Sequence, residues 1–200
     1  MNNLRLGVLS AVMTVLAATS VLAADAYGID KAHSSVGFSI RHMMISKTVG
    51  VFDDVDGVIL FSPDDLAGSK LDMTIKAISI NTRNEQRDKH LRSADFFEAD
   101  KFPLIVFKSK KIVKSEGDNY TVTGDLTMKG VTRTIDIPVT VLGPVKNPMS
   151  GAVGLGFEAN FNINRQDYGI SWNKVLDNGG LMIANDVAVQ VSLETSHNLK

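Results

Sequence analysis

Apolar and polar positions alternate with period two along most of the chain, the mark of strands that turn one face to a core. Tyr27 to Lys31 reads as a short strand. Ser34 to His42 follows, with Val36, Phe38, Ile40 and His42 on one side and Gly37, Ser39 and Arg41 on the other. Thr48 to Ser62 reads as a single long second strand, with Gly50 and Gly57 marking bends. Leu71, Met73, Ile75 and Ala77 alternate on a third that runs on to Asn81. Pro103 to Lys111 gives a fourth. Tyr120, Val122, Gly124, Leu126 and Met128 form one face of a fifth, and Ile135, Ile137, Val139 and Val141 one face of a sixth. Leu155, Phe157, Ala159, Phe161 and Ile163 define a seventh; Val187, Val189, Val191 and Leu193 define an eighth. Pro63-Asp64-Asp65, Gly117-Asp118 and Lys129-Gly130 supply turn chemistry between them. Gly143 to Gly151 reads as a loop, and Arg165 to Leu181 as a longer one.

One stretch departs from the alternation. Arg83 to Pro103 is dense in charge and carries Phe96, Phe97 and Phe102 in close succession. Asn84 is a helix N-cap candidate, because its side-chain oxygen accepts from backbone N–H groups that a helix start leaves orphaned. Residues 85–94 contain no Gly or Pro. Arg87, His90, Leu91 and Ala94 share a face at spacings of three and four, with Leu91 and Ala94 inward and Arg87 and His90 at the edge. Asp88 and Asp95 read as braces of this insert. It is either a solvated helix joining two strands or a lid that sets cations against a polar or anionic group.

Many strands joined mostly by short turns, each with one apolar face, call for an all-β sandwich or up-and-down barrel. About eight strands enclose room for side chains or one ligand. Twelve residues at ~3.3 Å each, tilted about 40°, make a barrel on the order of 30 Å tall. The interior faces are Val, Ile, Leu, Phe, Met and Ala, a lumen suited to hydrocarbon. From the alternation alone, side chains that simply fill the barrel are the better reading.

The first residues narrow the setting. Arg5 precedes an apolar run from Leu6 to Leu22, followed by Ala23-Ala24-Asp25-Ala26, the arrangement of a cleaved export signal. The favoured cut follows Ala23, giving a signal peptide at 1–23 and one mature domain at 24–200; cuts after Ala24 or Ala26 and an uncleaved anchor are the alternatives. Exclusion of a lipid-modified N-terminus follows from the lack of Cys, as does exclusion of thiolate metal sites and Cys nucleophiles. No later segment is apolar enough to span a bilayer, so no stable membrane insertion is expected. The net charge of −1 gives no general affinity for nucleic acid. Export without disulfides fits a bacterial periplasm. The four His have no zinc-like spacing, and no metal site or catalytic set is assigned.

Glu85-Gln-Arg-Asp-Lys-His-Leu-Arg-Ser-Ala-Asp-Phe-Phe97 is followed by Lys101-Phe-Pro103, and the mature chain opens with Tyr27-Gly-Ile-Asp30, His33-Ser-Ser-Val-Gly-Phe38 and Arg41-His42. Gly50-Val-Phe52, Thr123-Gly-Asp-Leu-Thr-Met-Lys-Gly-Val-Thr132 and Asn164-Arg-Gln-Asp-Tyr-Gly169 continue the pattern over the mature chain. On these motifs the chain resembles the YceI-like family of polyisoprenoid-binding proteins. The resemblance implies a lipocalin-like, eight-stranded antiparallel barrel with a helical insert between strands three and four. It also implies a periplasmic carrier for a long polyisoprenoid with a pyrophosphate, phenol or quinone head. On that reading no cofactor is required beyond bound lipid. Residue chemistry then nominates His42, Arg87, His90, Arg165 and Trp172 at the head group, Arg because its fork suits phosphate. Arg165 and Asp167 are also expected to pair across the rim. Phe38, Ile40, Met73, Ile75, Phe107, Leu126, Phe157, Phe161 and Val189 are the expected tail wall.

Two other classes stay open. A quinone-linked redox or stress factor would use the same lumen. An enzyme on prenylated substrates would use His42 and His90 as acid and base, but no nucleophile accompanies them in the sequence. Nothing in the sequence decides for or against a homodimer.

Overall fold

The computed structural model describes residues 24–177 and 179–197; the export signal expected at 1–23 lies outside them. The strands are β1 (Asp25–Ile29), β2 (Ser35–His42), β3 (Ser46–Phe52), β4 (Val55–Phe61), β5 (Lys70–Lys76) and β6 (Ile80–Asn81), followed after the helix α1 (Glu85–Arg92) by β7 (Leu104–Lys114), β8 (Asn119–Met128), β9 (Val131–Lys146), β10 (Val153–Asn164) and β11 (Ile183–His197). They fill eight positions around a closed antiparallel barrel. β1 and β2 are halves of one position, both paired with β11. β4 and β3 pair with those halves in turn, and β5 and β6 with β4 and β3. From β5 the ring continues through β7, β8, β9 and β10 to β11, each beside its chain neighbour.

Three expected strands are therefore broken or longer than expected. Thr48 to Ser62 is two strands, not one, because Asp53 and Asp54 turn their backbone to the next position. The Asp53 N–H donates to Ser79 O at 3.1 Å and Asp54 O accepts from Lys76 N at 3.0 Å. Lys76 Nζ adds an ion pair to the Asp54 carboxylate at 2.6 Å. Consecutive Asp residues are poor in a ladder and good at such turns. Leu71 to Asn81 is likewise interrupted, by a 3₁₀ turn at Ala77–Ser79. β9 instead runs past Gly143 to Lys146, since β10 begins early enough to pair Val153 with it; the loop expected from Gly143 starts only after Lys146. The Arg165 to Leu181 loop opens with a 3₁₀ turn, Arg165–Tyr168.

α1 begins where its cap was read. Asn84 Oδ1 accepts from Arg87 N at 2.9 Å. Asp88 is buried and accepts from both the backbone N–H and the hydroxyl of Thr82, which ties the first turn to the end of β6. Ala94 is not on an inward face: the helix ends at Arg92, and Ala94 is exposed beyond it. Leu91 does face inward, half-buried against the core.

The two ends of the barrel differ. At one end Phe61 meets Tyr120 and Phe157 edge-on at 5.3 and 5.6 Å between ring centres, and Ile59 and Val122 are almost fully buried beside them. Aromatic pairs favour this edge-to-face geometry, and the buried rings pack this end as a floor. At the other end lie α1, the Lys129-Gly130 turn, the 165–182 segment and the β2–β3 turn.

Candidate functional site: an apolar cavity and its mouth

Above the floor the barrel is hollow. A cavity of about 400 Å³ lies between the walls. Phe38, Ile40, Met73, Ile75, Phe107, Leu126, Phe157, Phe161 and Val189 all border it. They do so because every second residue of β2, β5, β7, β8, β10 and β11 points inward. Cross-strand register sets several of them side by side, Phe38 opposite Val189 and Met73 opposite Phe107.

Two glycines shape this wall. A side chain at Gly50 would lie 2.5 Å from the Phe38 ring, and one at Gly124 would press into the Phe107 ring and Lys108 backbone. Each gap lets an aromatic ring lie flat along the wall instead of filling the lumen.

The polar candidates gather at the mouth. His42, Arg87, His90, Arg165 and Trp172 all border the cavity. His90 Nε2 lies 2.8 Å from Asp95 Oδ2, and its ring packs edge-on against Phe96 and Trp172 at 5.0 and 5.1 Å. Phe96 and Trp172 complete the triangle at 5.3 Å. This clasp joins the helical insert to the 165–182 segment across the opening. Arg87 donates from Nε to the Thr82 hydroxyl and from Nη2 to Thr82 O, both at 2.7 Å; its Nη1 makes no hydrogen bond among the described residues. His42 ends β2 opposite Ile183 and Ser46.

Arg165 is a different case. It is buried, and its guanidinium is held by Ala184 O at 2.9 Å, Ile170 O at 2.7 Å and Asn185 Oδ1 at 3.4 Å. Desolvation lowers its pKa from the ordinary value. The expected pairing with Asp167 does not form, because these oxygens take the guanidinium instead. Its donors hold both ends of the segment that carries Trp172, so its visible work is positioning that segment.

Other wall residues were not read from the sequence. Phe52 packs against Phe38 and Phe97, each at 5.8 Å. Leu91, Phe96, Met182 and Ile183 also border the cavity. The run of Phe in the insert was the visible signal for Phe96 and Phe97. Met182 and Ile183 lie where β11 starts and left no periodic trace. Outside the barrel, Asp30, His33 and Glu194 lie close together on the surface and none borders the cavity.

A closed up-and-down barrel with a blind apolar cavity and a polar mouth defines a lipocalin-like binding barrel, a class built to enclose an apolar small molecule. Within that class the chain belongs to the YceI-like domain family, whose family model matches residues 27–195. A UPF0312 protein of Staphylococcus aureus is 42% identical over 167 residues, 84% of this chain and 95% of that protein. Among solved structures, Burkholderia cenocepacia BcnA is similar with TM-score 0.73 at 26% identity, covering 83% of this chain and 98% of BcnA. A Campylobacter jejuni YCEI protein gives 0.68 at 35%, covering 86% and 98%. A polyisoprenoid-binding domain from Saccharophagus degradans, described as implicated in plant cell wall breakdown, shares the fold with TM-score 0.66 at 18% identity, covering 87% and 99%.

Proposed function

We propose that this protein is a non-catalytic carrier that shelters a polyisoprenoid from water in the periplasm. The observation that carries the reading is the distribution of polarity: an apolar blind cavity with its cations and imidazoles confined to the mouth. That arrangement suits an amphiphile with a hydrocarbon tail and one polar end. The family resemblance and the Saccharophagus neighbour's description support an isoprenoid tail; the signal-like N-terminus supports export.

Volume sets what the cavity takes as it stands. At roughly 30 Å³ per water-sized atom, 400 Å³ holds on the order of a dozen heavy atoms, or two to three isoprene units. Burying them contributes about 10 kcal/mol gross at 0.8 kcal/mol per CH₂, before the cost of association. A longer chain runs on through the mouth or parts the Phe38, Phe52 and Phe97 rings.

Native mass spectrometry of the exported protein, followed by organic extraction, tests the reading. The expected result is one adduct of polyprenyl mass per barrel. A protein that leaves the cell empty and takes up no added prenyl compound, from farnesol to an octaprenyl lipid, would overturn it. Trp172 is the only Trp in the chain, so its fluorescence reports uptake in the same titration.

A further inference from the structure

We infer that the β2–β3 turn and the neighbouring stretch around Lys174, Val175 and Met182 form a docking tip for an anionic bilayer surface, which sets the cavity mouth against the membrane. The turn is Met43-Met44-Ile45. Met44 is 60% and Ile45 80% exposed, and Val175 on the adjoining stretch is 73% exposed. The two tips are tied by backbone: Met43 N donates to Met182 O at 2.7 Å, and Met182 N to Lys174 O at 2.8 Å.

The turn is built at a local cost. Met43 and Met44 both adopt left-handed backbone, φ 49° and 63°. Gly or Asn relieves such positions, yet two long apolar side chains occupy them and point to solvent. A soluble turn has no use for that choice, whereas a surface that enters an apolar layer does.

Charge identifies the partner. Arg41 and Lys47 sit directly opposite one another on β2 and β3, both exposed, and neither makes an ion pair among the described residues. Like charges face to face destabilise a ladder. No acidic residue occurs from Ser34 to Phe52, and Lys174 adds an exposed cation beside the second tip; Asp177 and Asp186 are the nearest acids in those segments. An apolar tip at which three exposed cations, Arg41, Lys47 and Lys174, outnumber the one acid, Asp177, matches the headgroup boundary of an anionic membrane. No helix among the described residues is long and apolar enough to cross a bilayer.

Position gives the contact a purpose. His42, the residue before the turn, and Met182, bonded to it, both border the cavity. A tip seated in the headgroups thus opens the mouth toward the layer where an isoprenoid resides. That purpose rests on the carrier reading; the docking itself does not.

The test is co-sedimentation of the mature protein with vesicles of equal parts phosphatidylglycerol and phosphatidylcholine, against vesicles of phosphatidylcholine alone. Binding is expected to the anionic vesicles and to weaken as salt rises. The variant Met43→Asn/Met44→Gly/Ile45→Thr should lose at least tenfold in binding while melting no lower than the parent, since it relieves the turn. Arg41→Gln/Lys47→Gln should lose most of the salt-sensitive part. Equal binding by parent and tip variant would overturn the inference. So would no binding by the parent at low salt, or a parent dimer that the tip variant converts to monomer, since the tip would then serve a second copy. Uptake of a detergent-delivered prenyl compound is measured on the same samples. Docking without uptake sinks the carrier reading alone; uptake without docking sinks this inference alone.

Discussion

Single residues at the mouth hold one another in place before any ligand arrives. Asp88 anchors Thr82, and Thr82 in turn receives Arg87. Asp88→Ala leaves the Thr82 N–H buried without an acceptor, at a cost of about 1–3 kcal/mol; urea unfolding of the variant measures it. The loss should be larger than for Asp95→Ala, whose partner His90 stays half-exposed. A second residue-scale effect concerns pH. Hydrogen bonding and attraction to Asp30 raise the pKa of His33 above its ordinary 6.5, and the His33 hydrogen bond first, then that of Ala32, lower Asp30 below 3.8. The His33 contribution is full below 6.5 and lost as pH rises through its raised value. The Asp30 contribution is full above 3.8 and lost as pH falls through its lowered value. The pair therefore stabilises most from about pH 4 to 6.5. His33→Asn should lower the melting temperature slightly at pH 5 and not at alkaline pH; an equal difference at both would refute the assignment.

At the scale of elements, the wall depends on glycine as much as on the aromatic rings. Gly50 in β3 lies beneath Phe38, and its missing Cβ leaves room for that ring and for the Thr82 methyl. Gly50→Ala must move the ring inward or push the insert off β3. Overpacking of this kind costs about 1–3 kcal/mol, and here it also narrows the lumen. The expected outcome is weaker uptake of prenyl compounds at a modest loss of stability, read by Trp172 fluorescence and thermal melts. The helical insert has a simpler dependence: Asn84→Ala removes its cap and costs about 1 kcal/mol. The strand faces were legible element by element because a period of two is a local property. All nine expected wall residues do border the cavity. The Asp53-Asp54 pair was a turn signal inside an otherwise strand-like run, whereas the break at Ala77–Ser79 left no such signal. The two form together because Asp53 N donates to Ser79 O and Lys76 N to Asp54 O between neighbouring barrel positions.

Taken whole, the molecule is a closed wall with one filled end. On the carrier reading, the floor of Phe61, Tyr120 and Phe157 would limit how far a tail descends, and the clasp of His90, Phe96 and Trp172 would limit how readily it leaves. Replacing His90 with Ala removes two ring contacts and the bond to Asp95, and should speed release of bound prenyl lipid more than it changes entry. Stopped-flow competition with Trp172 as reporter measures both rates; a change in entry alone would contradict the clasp.

The sequence by itself determined that the chain is a set of one-sided strands around a charged helical insert, since periodicity, caps and turn residues act between near neighbours. It also determined which side chains would face inward, because a strand has only two faces. Tertiary structure alone decided that the inward faces leave a cavity above a packed floor, because that balance depends on volumes brought together from eight barrel positions. It alone decided the work of Arg165, whose guanidinium finds carbonyls of residues 170 and 184 rather than neighbouring Asp167. And it alone placed an exposed Met-Met-Ile turn beside the cavity mouth, for closure of the barrel brings the end of β2 against the start of β11.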